Sequence, residues 1–281
     1  MDFRIKTIFD SGTAKFIEDR VVMEPPFLGV LDGVSGLYDP SIGPQLFLGK
    51  TGGQKATQIV EEVFMLANKD DELITVVKEA NTRLRNFSKS VGIDIDRADL
   101  LPGMAFAFAK IGDREVEIIQ GGDSFVLWEN TNGEIGLTAN QNFFDDEEKV
   151  KILNDIIIKC NGDMNKAWPQ YIPLSSRLRI ERVNKNLEKK SVVLNGQAEG
   201  ESLWFKKSLK RKGLKTVILF TDGMIEFSES RDPVQISKTI LDVYHRLGID
   251  GILFRIREIE SKRTTATHIK NAEATVLLIE F

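Results

Sequence analysis

The stretch FLGVLDG, residues 27–33, joins a short apolar run to an aspartate that stands beside a glycine. An apolar run of this length predicts a buried strand, and Gly33 predicts that the strand stops at Asp32-Gly33, where the backbone turns. The same design recurs in EIIQGGDS around Asp123 and in VILFTDG around Asp222. One Asp-Gly by itself is a common turn signal, so a function can be argued only from the whole set.

A fourth acidic position, the pair Glu18-Asp19, precedes another apolar run. A carboxylate at the end of a buried strand is held rigidly and is partly desolvated. Several such groups that met without Lys or Arg partners would repel one another, so a divalent cation is their natural counterion. Because the ligands would be hard oxygens, the cation would be Mg²⁺ or Mn²⁺ rather than zinc.

The periodicity along the chain predicts strands and pairs of helices in alternation. Strands are expected at 3–9, 27–31, 104–111, 116–120, 124–128, 215–220 and 274–281, and helices at 52–67, 71–90, 145–160, 233–247 and 251–261. The three middle strands are separated by Gly-Asp turns, which predicts a meander. Residues 38–50 read as a loop, and 162–213 as an irregular insertion with a helix and one or two short strands. This order favours antiparallel sheets covered by helices in one domain, 1–281, over a parallel sheet.

Composition narrows the possible functions. The chain has 281 residues and a net charge of −4, which argues against nucleic-acid binding. A basic cluster at 206–212 reads as a solvated loop before a strand, with attraction of a phosphorylated partner as the alternative. Cys160 is the only cysteine, and His245 and His268 lack ligand-spaced partners, so neither disulfides nor a zinc site is expected.

The first ten residues lack the apolar core of a signal peptide, and no apolar stretch could span a membrane. A cytoplasmic monomer without membrane contact is the prediction.

Taken in order, the motifs resemble those of the metal-dependent serine/threonine protein phosphatases of type 2C, the PPM family. The resemblance covers nearly the whole chain, although each motif is short. The matching segments are Glu18-Asp19-Arg20, 31–36, Gly122-Asp123-Ser124, Thr221-Asp222-Gly223 and 272–276.

The resemblance implies a fold and a mechanism. The fold would be a four-layer α-β-β-α sandwich, with two antiparallel sheets flanked by helices and the metal site at one end. Asp32 would bridge two Mg²⁺ or Mn²⁺ ions, the Gly33 carbonyl and Asp222 would complete their ligands, and Glu18 would hold a metal-bound water. Asp123 and Glu226 match a third, weaker metal site. A bridging water would then hydrolyse phosphoserine or phosphothreonine in a protein substrate, which could be a kinase or its target.

Three positions depart from the family pattern. The last metal-binding Asp aligns with Ala272, beside Glu273, which would have to shift to reach a metal. The phosphate-binding Arg of the family aligns with Ala14, so the adjacent Lys15 is the candidate catalytic cation. Asp19 is the second candidate catalytic position. A His found in some relatives is Val34 here. The prediction is a phosphatase, with activity weakened at Ala272; the alternative is a pseudophosphatase of the same fold that binds or regulates a partner.

Overall fold

The computed structural model describes residues 3–225, 232–262 and 271–281. Its strands are β1 (Arg4–Asp10), β2 (Arg20–Glu24), β3 (Phe27–Val34), β4 (Leu46–Phe47), β5 (Lys50–Thr51), β6 (Gly103–Ile111), β7 (Glu115–Gly121), β8 (Phe125–Asn130), β9 (Ile135–Leu137), β10 (Phe205–Lys210), β11 (Leu214–Phe220) and β12 (Ala274–Glu280). Its α-helices are α1 (Gly52–Leu66), α2 (Leu73–Ser90), α3 (Phe143–Lys159), α4 (Met164–Arg182) and α5 (Pro233–Ser261).

Ten of these strands form two five-stranded antiparallel sheets. The first sheet has the order β10-β7-β6-β3-β2, and the second has the order β1-β12-β11-β8-β9. Their facing sides enclose an apolar core that includes Val30, Ile118, Val217 and Leu277. Helices α1 and α2 cover the outer side of the first sheet, and α5 covers the outer side of the second. The α+β class and the four-layer α-β-β-α arrangement are therefore confirmed.

Strand β3 runs further than the sequence predicts. The prediction that it stops at Asp32-Gly33 is wrong, because Asp32 pairs with Ala105 and Gly33 with Met104 in the ladder to β6. An Asp-Gly pair permits a turn but does not require one when a neighbouring strand satisfies the backbone. As a result, Asp32 is held by the sheet itself rather than by a loop.

The predicted meander of the middle strands is also wrong. Strands β6 and β7 form a hairpin, but β8 leaves the first sheet and pairs with β11 and β9 in the second. The crossing follows Gly122, whose φ of 85° lies in the region that favours glycine. Asp123 consequently lies at the passage between the two sheets.

The remaining segments agree with the sequence more closely. Residues 162–213 contain α4, a short 3-10 helix and β10, which extends the first sheet along β7. The supposed loop 38–50 holds most of the small β4–β5 hairpin. The two helices expected after residue 232 form α5, which Gly248 interrupts. Among the described residues, none of the helices is apolar over a length that would cross a bilayer.

Candidate metal centre

Asp32 and Asp222 meet where the two sheets come together. Asp32 lies in β3 of the first sheet, and Asp222 begins the turn that follows β11 of the second. Their carboxyl groups are within hydrogen-bonding reach of each other. Burial, followed by the charges of Asp222, Asp19 and Asp123, raises the pKa of Asp32 well above its usual value. Two carboxyl groups in this relation cannot both ionise without a cation to balance them.

The pKa of Asp222 is raised by the same surroundings. The residue is exposed as a whole, yet protein atoms surround its carboxyl group in the wall of the cavity. Burial, together with the charges of Asp123, Asp19 and Asp146, raises its pKa to about 8. The largest influences on both members of the pair are therefore desolvation and other carboxylates. This is the electrostatic condition that a divalent cation would relieve.

Asp123 lies beside this pair at the passage from β7 to β8. Burial raises the pKa of its carboxyl group, while a hydrogen bond from Asn142 and the charge of Lys149 act in the opposite direction. The family resemblance implies that Asp123 belongs to the third, weaker metal site. Asp123 lines the same cavity as Asp222, and its charge raises the pKa of Asp222.

Asp146, in the first turn of α3, is a member of the acidic cluster that sequence analysis missed. Burial and the charge of Asp123 raise its pKa to about 7. The sequence around it, DDEE at 145–148, is what a helix N-terminus ordinarily contains, because acidic residues there interact favourably with the helix dipole. The pattern gives no sign that Asp146 points to the cluster while Asp145 forms salt bridges.

Asp19 is buried and tied to the second sheet. Its Oδ2 accepts hydrogen bonds from the hydroxyls of Thr221, at 2.9 Å, and Thr275, at 2.7 Å. Burial outweighs these bonds and raises the pKa of Asp19 to about 7. Asp19 therefore joins the segment before β2 to the ends of β11 and β12, which places it within the electrostatic reach of Asp32 and Asp222.

Glu18 lies at the N-terminus of α1, to one side of the central pair. Its Oε1 accepts a hydrogen bond of 2.5 Å from the Ser35 hydroxyl and another from Thr51, the N-cap of α1. A side chain on Gly53 would collide with the Glu18 carboxyl, because an added Cβ would lie 2.6 Å from its carboxyl carbon. These contacts fix the carboxylate against the positive end of a helix dipole, which is a stabilising position for an anion.

Glu273 anchors the Glu18-Asp19 segment. Its carboxylate accepts backbone hydrogen bonds from Glu18, at 2.9 Å, and from Asp19, at 2.7 Å. The neighbouring Ala272 is exposed and uses its backbone carbonyl to bind Arg257. Glu273 thus lies in the acidic region with its carboxylate engaged by the backbone.

The other predicted positions differ in how the structure places them. Gly33 is required by close packing, since an added Cβ would lie 2.7 Å from the Glu18 carbonyl oxygen. Lys15 is exposed, and its ammonium lies 5.3 Å from the centroid of the Phe16 ring. Glu226 lies outside the described residues.

A cavity of about 260 Å³ opens beside the central pair. Its wall combines both signs of charge. The charged side chains that line it are Asp32, Asp123, Asp146, Asp222, Lys149 and Arg179. The volume is ample for a phosphate group, and α3 and α4 supply the positive side.

The donor set bears on whether a metal ion fits. In the described part of the chain, no three His, Cys, Asp or Glu side chains converge as they would around a bound ion. Glu18, Asp19 and Glu273 are instead engaged by hydroxyl or amide donors. Asp32 and Asp222 do suit a hard cation, because both are carboxylates whose ionisation the fold opposes and a cation would favour. Mg²⁺ in particular retains several waters and needs only one or two carboxylates.

Comparisons with known proteins agree on the architecture. No protein-family model matches the sequence, and a search of curated proteins finds no significant match. Among solved structures, the serine/threonine phosphatase PstP/Ppp of Mycobacterium tuberculosis superposes with a TM-score of 0.57 at 17% identity, over 99% of this chain and 98% of that one.

Stp1 of Staphylococcus aureus, another serine/threonine phosphatase, gives a TM-score of 0.57 at 13% identity, over 100% of this chain and 96% of that one. A second structure, the PstP catalytic domain in complex with two manganese ions, gives 0.56 at 15% identity, over 99% of this chain and 97% of that one. The chain therefore has the fold of bacterial serine/threonine phosphatases over essentially its whole length. The fold that the sequence resemblance implied is confirmed.

Proposed function

We propose that this protein is a metal-dependent phosphatase that hydrolyses phosphoserine or phosphothreonine in proteins. The observation that carries the proposal is the Asp32–Asp222 pair, in which two carboxyl groups from different sheets lie within hydrogen-bonding reach at the edge of a charged cavity. The similarity in fold to serine/threonine phosphatases supports the same class of substrate. The cytoplasmic location and monomeric state predicted from the sequence belong to the same proposal.

In the proposed site, Asp32 and Asp222 would hold the Mg²⁺ or Mn²⁺ ions. Asp123 and Asp146 are available for a third, weaker one. When bound, these cations supply charge neutralisation and a water whose pKa is low enough for it to act as a nucleophile. Asp19 and Glu273 position the acidic segment before β2 by their bonds to Thr221, Thr275 and the backbone. Glu18, held by Ser35 and Thr51, is a hydrogen-bond acceptor for ordered water at the edge of the site.

The test is the hydrolysis of an aryl phosphate and of a phosphothreonine peptide with and without added Mn²⁺. We expect turnover only with the metal. Asp32→Asn should lower kcat/KM by at least a hundredfold, because the amide is neutral and cannot balance two cations. Asp113→Asn, in the turn between β6 and β7, removes an acid elsewhere and should leave the rate unchanged.

A second candidate function is a pseudophosphatase that uses the same fold to bind or regulate a partner. The observations that favour it are the exposed Ala272, where the family pattern requires a metal-binding Asp, and the outward position of Lys15. Wild-type protein that shows no metal-dependent turnover of either substrate, across pH and Mn²⁺ concentration, would decide for this alternative.

A further inference from the structure

Helix α4 contributes one cation, Arg179, to the wall of the cavity beside Asp32 and Asp222. The side chain is half-buried, and α4 is fixed in place by its packing on α3 around Ile156, Ala167 and Tyr171. The packing of α4 fixes the backbone from which this cation reaches the cavity, so binding of a ligand has only the side chain to order.

The other cations near the cavity already have carboxylate partners. Lys149 binds Asp145, and Arg182 binds Asp145 at 3.1 Å and Glu148 at 3.0 Å. These two cations engage both oxygens of the Asp145 carboxylate.

Arg179 differs from these cations. In the described ranges, its guanidinium makes neither a hydrogen bond nor a salt bridge.

Burial of Arg179 has an energetic consequence. Desolvation lowers the pKa of the guanidinium, and the electrostatic effects of Tyr171, Asp145, Asp146 and Asp99 only partly oppose this. A half-buried charge with no protein acceptor has lost part of its hydration without gaining a partner, which is unfavourable. An anion in the cavity would supply that partner, and the planar guanidinium matches two oxygens of a phosphate at once.

We propose that Arg179 binds the phosphate group of the substrate. It therefore takes the phosphate-binding role for which Lys15 is the candidate from the sequence. The inference rests on the proposed function, because the phosphate would also face Asp32, Asp146 and Asp222. Cations held by those carboxylates remove the repulsion. Arg179 would then bind the phosphate from α4, a helix that the family motifs in the sequence do not include.

The test separates phosphate binding from turnover. Inorganic phosphate is titrated by calorimetry into Mn²⁺-loaded wild type, Arg179→Gln and Arg179→Lys, and KM and kcat are measured with an aryl phosphate. Arg177→Gln is the matched control, because it removes an arginine from the same helix whose side chain is largely exposed. Thermal unfolding of each variant confirms that it is folded.

We expect Arg179→Gln to weaken phosphate binding roughly tenfold or more and to raise KM by a similar factor, since a hydrogen bond to a charged group is lost. Arg179→Lys should recover part of the loss, because it restores the charge but not the two-pronged geometry. Arg177→Gln should match wild type in both measurements.

Equal phosphate affinity in wild type and Arg179→Gln, or an equal loss in Arg177→Gln, would overturn the inference while leaving a metal-dependent wild-type activity intact. Failure of the proposed function looks different, because wild type would then show no turnover. In that case the binding measurement still decides: loss of phosphate affinity confined to Arg179→Gln supports the inference, and wild type that binds no phosphate ends it.

Discussion

At the scale of single residues, Glu273 is the neighbour of Ala272, the position where the family pattern and this chain disagree. The pattern requires an Asp at Ala272, and the alternative from the sequence is that Glu273 shifts to take its place. The structure engages the Glu273 carboxylate with the backbone of Glu18 and Asp19. Its effect on the metal centre is then indirect, because it fixes the segment that carries Asp19.

This arrangement predicts the outcome of Glu273→Ala. Two backbone N–H groups lose a charged acceptor, so the free energy of unfolding should fall by about 1.5–3 kcal/mol, the range for hydrogen bonds to charged groups. Mn²⁺ affinity should weaken as the Asp19 segment loosens. Chemical denaturation and calorimetry measure the two effects. Glu62→Ala, an exposed control on α1, should change stability by no more than about 0.5 kcal/mol.

Ala272→Asp tests whether the metal site lacks a carboxylate just before the final strand. If Ala272 leaves one coordination position to water, the added carboxylate should tighten Mn²⁺ binding and raise the rate. If Glu273→Ala has no effect on stability or on Mn²⁺ affinity, the anchoring role assigned to Glu273 is wrong.

The sequence predicts some members of the site and misses others for a physical reason. Asp32, Asp123 and Asp222 are recognisable because each follows a strongly apolar run of sequence. Packing of the two sheets brings the ends of these runs together. Asp146 and Arg179 lie on helices whose polar residues have no distinctive spacing. Which of them face a cavity depends on how α3 and α4 dock, and that is a tertiary property.

At the scale of elements, the turn after β7 shows the limit of local patterns. A Gly-Asp turn between two apolar strands predicts a hairpin, and the same residues also suit a passage between two packed sheets. Whether a hairpin or a passage forms depends on long-range pairing, because β8 pairs with β11 and β9 in the second sheet. The helices are easier to predict, because their apolar stripes are local and α1 begins where the capping pair Thr51 and Gln54 stands.

The N-cap of α1 gives a prediction that links an element to the site. Thr51→Ala removes both the cap and one hydrogen bond to Glu18, so stability should fall by about 1 kcal/mol and Mn²⁺ affinity should also fall. Asp163→Ala is the control, because it removes the comparable cap of α4 at the end remote from Arg179. It should reduce stability alone. Equal Mn²⁺ affinity in the two variants would show that the α1 cap does not support the site.

At the scale of the whole molecule, the acidic cluster makes stability depend on pH. Asp222, Asp19 and Asp146 have pKa values of about 8, 7 and 7 in the folded protein. An Asp in the unfolded chain has a pKa of about 3.9. The folded state consequently binds more protons than the unfolded state between these limits. Stability should be greatest at the acidic side of this range and be lost as pH rises through 7 to 8.

The measurement is the melting temperature of metal-free protein between pH 5.5 and about 8.5, a range above the pKa of any carboxylate that is lowered in the fold. We expect the melting temperature to fall across this range and added Mn²⁺ to oppose the fall. Asp222→Asn should flatten the profile. A melting temperature that rises with pH in metal-free protein would contradict the placement of these carboxyl groups.

The central claim is that Asp32 and Asp222 form a site for divalent cations, and calorimetric titration of Mn²⁺ tests it most directly. Wild type and Asp32→Asn are compared at a pH above 8, where proton competition is weakest. We predict saturable binding to wild type and affinity at least tenfold weaker in Asp32→Asn, with both proteins folded by thermal unfolding. The absence of saturable binding to wild type, or identical isotherms for the two proteins, would contradict the account.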